Sequence, residues 1–146
     1  MNKGSKLPED NHVVRHIPYK KLIKDENDKV IGFFAEAFKP RPSDNKDLSV
    51  NRIEYFVSDD HTSSVHLSVQ HLRSQRNISK NSAFGIGNVG NIKKLCQEHG
   101  SPVRIVFIGD DGNPSHSLIR DITPEDDSLL DILATNAFEL IRNQDI

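Results

Sequence analysis

The sequence is poor in the residue types that hold small proteins together through covalent links or structural metals. Cysteine occurs once, at Cys96, and tryptophan does not occur at all. A single cysteine cannot form an internal disulfide, and no cysteine cluster indicates structural zinc. We therefore expect a chain that folds on its apolar core, in a reducing cytoplasm.

Long apolar runs are also missing. No stretch reaches the length that a membrane-spanning helix needs, and the first residues, MNKGSKLPEDNHVV, contain no apolar segment typical of a signal peptide. The sequence thus predicts a cytoplasmic protein without a membrane partner. The 146 residues, of which 35% are hydrophobic and 27% charged, are enough for one domain with a modest core.

Charge is distributed unevenly although the net charge is only −2. The segment from His71 to Arg104 holds six basic residues against one acid, and residues 121–146 hold seven acids against one arginine. The two segments either neutralise each other within the fold, which the overall balance favours, or form an interaction surface. A nucleic-acid surface would use Arg73, Arg76, Lys80, Lys93 and Lys94.

The first half of the chain has strand patterns. Residues 1–11 are polar and contain Gly and Pro, which predicts a flexible arm ahead of one domain over residues 12–146. HVVRHIPYKKLI and KVIGFFAEAF, separated by the charged turn KDEND, predict a hairpin. LSVNRIEYFVS predicts a third strand. DDHTSSVHLSVQHLRSQRN has both strand and helix spacings, and a cap at Asp60 or Thr62 favours the helix.

The second half of the chain alternates between strand patterns and helix patterns. KNSAFGIGNVGNIKKLCQEHG predicts a short strand and then a helix that ends at Gly100. VRIVFIG and SHSLIRDI predict two further strands. TPEDDSLLDILATNAFELIRN predicts a closing helix capped by Thr123, whose apolar face needs a sheet or another subunit to cover it. The order predicts a single α+β domain with a mixed or mainly antiparallel sheet, an N-terminal hairpin and a C-terminal amphipathic helix.

The segment GIGNVG matches the glycine spacing of a dinucleotide-binding loop, with Asp110 at a suitable distance downstream. The strand before it is weak, and only about 35 residues follow Asp110, too few for the second half of such a sheet. A tight connection between a strand and a helix is the better explanation of Gly85, Gly87 and Gly90. We predict no cofactor.

Histidine is abundant, with seven in the chain. No pair on a predicted helix has the i, i+4 spacing that presents two imidazoles to one metal, so any metal site must join distant segments. The sequence alone predicts no metal.

His116 is the strongest candidate for a catalytic residue. The turn residues DDGNPS precede it and a strand follows, so the imidazole is held at the rim of a sheet. Asp110, Asp111 or Asp121 is available to orient the ring. With Arg15, His16 or Arg52 from the early strands, His116 would bind an anion and move a proton. The alternative is a structural histidine at a strand end.

The stretches AFKPRPSDNKDLSVNR and NPSHSLI resemble those of a group of short uncharacterised bacterial proteins, over about residues 15–122. The resemblance implies a bacterial source and carries no activity. Two hypotheses follow from the residues. The first is a small cytoplasmic binding or accessory protein that acts in a multi-protein system and associates with itself or another subunit. The second is an enzyme acting on RNA or a nucleotide, a nuclease or a phosphate-handling transferase, through His116.

Overall fold

A six-stranded antiparallel sheet organises the chain, which a computed structural model describes over residues 1–146. Its strands are β1 (His12–Ile17), β4 (Leu48–Arg52), β5 (Ala83–Asn88), β6 (Arg104–Phe107), β7 (His116–Arg120) and β8 (Phe138–Arg142). Their order across the sheet is β6-β7-β4-β1-β5-β8. The predicted α+β domain with a mainly antiparallel sheet is confirmed.

Helices cover both faces of the sheet. Helix α1 (His61–Gln75) packs Val65, Val69 and Leu72 against one face. Helix α2 (Val89–Glu98) and the shorter α3 (Asp127–Ile132), which continues as a wider turn over Leu133–Ala137, pack on the other face. The predicted cap is correct for α1, where the Asp60 carboxylate accepts a hydrogen bond from the Ser63 amide.

The N-terminal hairpin consists of β2 (Leu22–Lys24) and β3 (Val30–Phe33), joined by the KDEND turn. Its extent differs from the prediction, because β1 does not pair with β3. Instead β1 enters the main sheet between β4 and β5. Pro18 directly follows β1 and supplies no amide hydrogen to the ladder, which is consistent with the strand ending there.

The C-terminal helix is present but shorter than predicted. It begins at Asp127 with Asp126 as its cap, rather than Thr123, and the chain becomes strand β8 at Phe138. The buried strand β5 needs a hydrogen-bonding neighbour on each side, and β8 supplies one along five residue pairs. The apolar face that would have required a second subunit is buried by this chain itself.

Two glycines of GIGNVG lie inside β5, not in the connection that follows it. A side chain at Gly87 would lie 2.8 Å from Ile92 Cδ1 and 3.1 Å from the Phe138 ring. One at Gly85 would lie 3.3 Å from both Phe138 and Phe33. The glycines therefore make room for aromatic rings of the core.

Residues 4–7 lie along the edge of β6. The Gly4 amide donates to Phe107 O, the Leu7 amide donates to Ile105 O, and Leu7 is only 3% exposed. None of the helices has the length and apolar character required to cross a bilayer.

Candidate functional site

The turn before β7 fixes the position of His116, as its sequence suggested. Asn113 is the anchor of this turn: its Oδ1 accepts from Asn51 Nδ2 at 2.6 Å and lies 3.3 Å from His71 Nε2. The His116 amide donates to Asn113 O at 3.1 Å. The segment is thus tied to both β4 and α1, and the imidazole at the start of β7 is held from two sides.

His116 lies between an acid and a hydroxyl. Its Nδ1 is hydrogen-bonded to the Asp110 carboxylate, and its Nε2 lies 2.9 Å from Ser49 Oγ on the neighbouring strand. An ionised carboxylate only accepts, so in the neutral form of the ring Nδ1 carries the proton and Nε2 accepts from the serine hydroxyl. The side chain is 18% exposed and lines a surface depression. Asp121, another candidate orienter, pairs instead with Arg104 at 2.8 Å.

Arg15 occupies a gap between β1 and β4. These strands share only two residue pairs, Val13 with Arg52 and Val14 with Asn51, and the rest of each strand is unpaired with the other. Arg15 Nη1 donates to Ser49 O at 2.8 Å and its Nε donates to Ala37 O at 3.1 Å. Both partners are neutral carbonyls, so the guanidinium has no ion-pair partner.

The gap opens into a cleft of about 360 Å³ with a cationic lining. Arg76 at the end of α1 enters it and forms no ion pair. Burial, followed by repulsion from Arg76 and Arg41, lowers the pKa of Arg15 to about 10. The two carboxylates in the lining each pair with another arginine: Asp44 with Arg41, also in the lining, at 2.8 Å, and Asp47 with Arg120 at 3.0 Å.

His16 faces the same cleft as a neutral imidazole. Burial, then the charges of Arg76 and Arg15, lower its pKa to about 4. Its Nε2 is 2.9 Å from Ser82 Oγ, whose own hydrogen is donated to Ser79 O. Nε2 is therefore the protonated nitrogen of this ring.

The His116 array adjoins the cationic cleft. A second depression, lined by His116 and Leu118, shares four lining residues with the first: Arg41, Asp44, Asp47 and Ser49. Ser49 joins the two directly, since its carbonyl accepts from Arg15 and its hydroxyl meets His116. The structure thus places Arg15 and His16 in one cleft and His116 in the depression that adjoins it.

Arg52 lies apart from this group. Its Nε donates to Asn11 Oδ1 at 2.6 Å, and it lines neither depression. Of Arg15, His16 and Arg52, the three alternatives expected beside His116, only the first two line the cleft that adjoins it. Arg52 follows Asn51 in β4, and successive side chains of a strand point to opposite faces.

The five basic residues considered for nucleic acid do not form one surface. Arg76 lines the cleft, but Arg73 is used to hold the end of the chain through Asn143 and Ile146. Lys80 lies in the loop before β5, and Lys93 and Lys94 are on α2, across the sheet from α1. Lys93 also pairs with Glu9 at 3.6 Å.

Sequence reasoning missed Ser49 and Arg41. Ser49 is a small polar residue in an alternating strand, and only the register of β4 against β7 places it beside the imidazole. The two prolines of KPRPSD marked a loop, without indicating that Arg41 within it lines the cleft.

One set of residues has the donor types and proximity of a metal site. His12, Glu54 and His61 come from three segments, and their potential ligand atoms all lie within 4.8 Å of one another.

Comparisons with protein-family models, with curated proteins and with solved structures find no match for this chain.

Proposed function

We propose that the protein binds the phosphate group of a nucleotide or an RNA strand in the cationic cleft and carries out acid–base chemistry on it with His116. One observation carries the proposal: Arg15 and Arg76 share a cleft without a carboxylate bonded to either, and Ser49 connects that cleft to the imidazole. Guanidinium groups bind phosphate through paired charged hydrogen bonds.

The charge balance of the cleft supports an anionic ligand. Arg15, Lys39, Arg41 and Arg76 line it against Asp44 and Asp47. Both carboxylates already have arginine partners, so the charges of Arg15 and Arg76 are left to repel each other. A phosphate between them relieves this repulsion, and a partly buried setting strengthens the attraction.

The proposed chemistry starts at His116 Nε2. This nitrogen takes the proton of the Ser49 hydroxyl, and Oγ attacks the phosphorus of a bound phosphate ester. The oxygen of the departing alcohol takes the proton back from His116, which leaves a phosphoserine for water to hydrolyse. Asp110 keeps the ring in the required tautomer and stabilises its protonated form. The two arginines stabilise the charge that develops on the phosphoryl oxygens.

Binding is tested with Arg76→Gln, because Arg76 is exposed and its replacement does not disturb the core. We expect the variant to bind 5′-AMP and a short single-stranded RNA about 10- to 100-fold more weakly, the loss of one charged hydrogen-bonding partner. Calorimetry or amide NMR shifts provide the measurement. The matched control, Arg104→Gln, removes the same charge at the edge strand β6 and should bind as the wild type does.

Turnover is tested with His116→Asn on nucleotide and RNA phosphate esters. Loss of a general base lowers the rate by about 100- to 10,000-fold, and Ser49→Ala should remove the phosphoserine seen by mass spectrometry. His66→Asn, an exposed histidine on α1, is the control. If Arg76→Gln weakens binding but no variant or substrate reveals turnover, the protein binds its ligand without transforming it. Unchanged affinity in Arg76→Gln contradicts the whole proposal.

The setting that we propose is the cytoplasm of a bacterium, with a second copy of the chain as partner. The support for a partner is the hairpin, where Ile23, Ile31 and Phe34 are 36%, 59% and 49% exposed. Ile23 and Phe34 share one face of the hairpin, because Ile23 pairs with Gly32 and Phe34 lies two positions further along the strand. Adjacent exposed apolar side chains are typical of contact sites.

A further inference from the structure

We infer that His12, Glu54 and His61 form a binding site for a divalent transition metal, with zinc as the best fit. This site is separate from the cationic cleft and shares no residue with it. Two imidazoles and one carboxylate are a ligand set that zinc takes in sites that keep further positions open.

The three donors come from segments that the fold brings together. His12 begins β1, Glu54 lies in the tight helical turn Ile53–Tyr55 after β4, and His61 is the first residue of α1. The β1–β4 pairing brings the first two side by side, and α1 starts a few residues after Glu54. No two of these residues are near enough in sequence to form a recognisable metal motif.

Contacts within the group position the ligand atoms. His12 Nδ1 lies 2.7 Å from Glu54 Oε2, and the His12 amide donates to Oε1 of the same carboxylate at 2.7 Å. The His61 ring packs on His12 with centroids 4.4 Å apart and planes inclined by 48°. All three side chains are thus gathered within the span of one coordination sphere.

His61 is the informative member of the group. The hydrogen bonds of Glu54 to His12 already account for those two residues as a structural link between β1 and the turn. The His61 side chain makes no hydrogen bond within the chain, and it is exposed at the start of α1. A metal ion of intermediate softness, such as Zn²⁺, binds imidazole nitrogen and carboxylate oxygen well, and all three groups would serve as its ligands.

The surroundings leave room for a further ligand. A depression of about 460 Å³ is lined by His12 and His61 together with the polar side chains of Asn88, Asn91 and Glu139. Water or a small ligand there has access to the positions that the three protein donors do not fill.

The test measures Zn²⁺ binding to the full chain after removal of metals with a chelator. Calorimetry should show one tight site per chain, and Co²⁺ should give visible absorption bands from the same site. His61→Ala removes a ligand from an exposed position and should weaken Zn²⁺ binding at least about 10-fold. The control is His66→Ala, which removes an exposed histidine of the same helix outside the site. It should bind Zn²⁺ as tightly as the wild type does.

A second readout is thermal stability, because a ligand that binds only the folded chain raises the melting temperature. Zn²⁺ should raise that of the wild type and of His66→Ala, but not that of His61→Ala. Equal affinity of the wild type and His61→Ala, or the lack of any stoichiometric site, overturns the inference. Arg76→Gln and His116→Asn should retain full Zn²⁺ binding, so failure here is distinguishable from failure of the phosphate proposal.

Discussion

His16 makes the stability of the folded chain depend on pH. In the folded chain its pKa falls from 6.5 to about 4, because it is partly buried and faces Arg76 and Arg15. The unfolded chain therefore binds a proton between pH 6.5 and 4 that the folded chain does not bind. By linkage, the free energy of unfolding is highest above pH 6.5 and decreases as the pH falls through this window.

His16→Asn should flatten that dependence, since asparagine takes up no proton in either state. Urea denaturation at pH 7 and at pH 5 measures the effect, and His66→Asn provides a variant that lacks a histidine elsewhere. A wild type and a His16→Asn variant that lose the same stability between these two pH values would show that folding does not lower the pKa of His16.

Part of the candidate site was predictable from single residues. The turn residues before His116 indicated a fixed imidazole, and Asp110 was among the acids expected to orient it. Ser49 and Arg76 were not expected there, because their positions depend on strand register and on where α1 ends. The metal site is harder still to predict from the sequence, since His12 and His61 are almost fifty residues apart.

At the scale of elements, the pairing of β5 with β8 depends on glycine. Gly87→Ala would place a methyl group 2.8 Å from Ile92 Cδ1 and 3.0 Å from the Ala137 carbonyl oxygen, and the backbone atom cannot give way easily. We expect a loss of ~1–3 kcal/mol in the free energy of unfolding. Chemical denaturation measures it.

Gly32→Ala is the matched control for this prediction. It is also a strand glycine, but its added methyl would meet only Ile23, at an ordinary 3.6 Å. Its effect should stay within ~0.5 kcal/mol. If Gly87→Ala lowers the free energy of unfolding no more than Gly32→Ala does, the glycines of GIGNVG do not serve to make space for core side chains.

The helix predicted over about the last twenty residues shows why the fold could be predicted only in part from the sequence. Leu130, Leu133 and Phe138 fit a helical stripe, and α3 does form over the first of them. From Phe138 onward the same residues also fit an alternating strand, with Phe138 facing one core and Ile141 the other. Tertiary pairing with β5 decides between the two, and no local pattern contains that information.

At the scale of the whole molecule, the exposed apolar hairpin predicts self-association. Phe34→Ser should shift the chain from dimer toward monomer in sedimentation experiments, because it removes the largest exposed apolar side chain of the face that Ile23 and Phe34 share. Val57→Ser is the control, since Val57 is 89% exposed but lies in a different loop. A wild type that stays monomeric at the highest attainable concentration would exclude the second copy as partner.

The central place of β1 in the sheet has a consequence for folding speed. The first strand of the chain pairs with partners about 40 and about 75 residues away, so its two ladders close large loops. Loop closure has an entropic cost before such contacts can stabilise anything, and topologies rich in distant contacts fold slowly. Until residue 88 is in place, the apolar side chains of β1 stay without one of their neighbours, and a chain waiting in that state is open to aggregation.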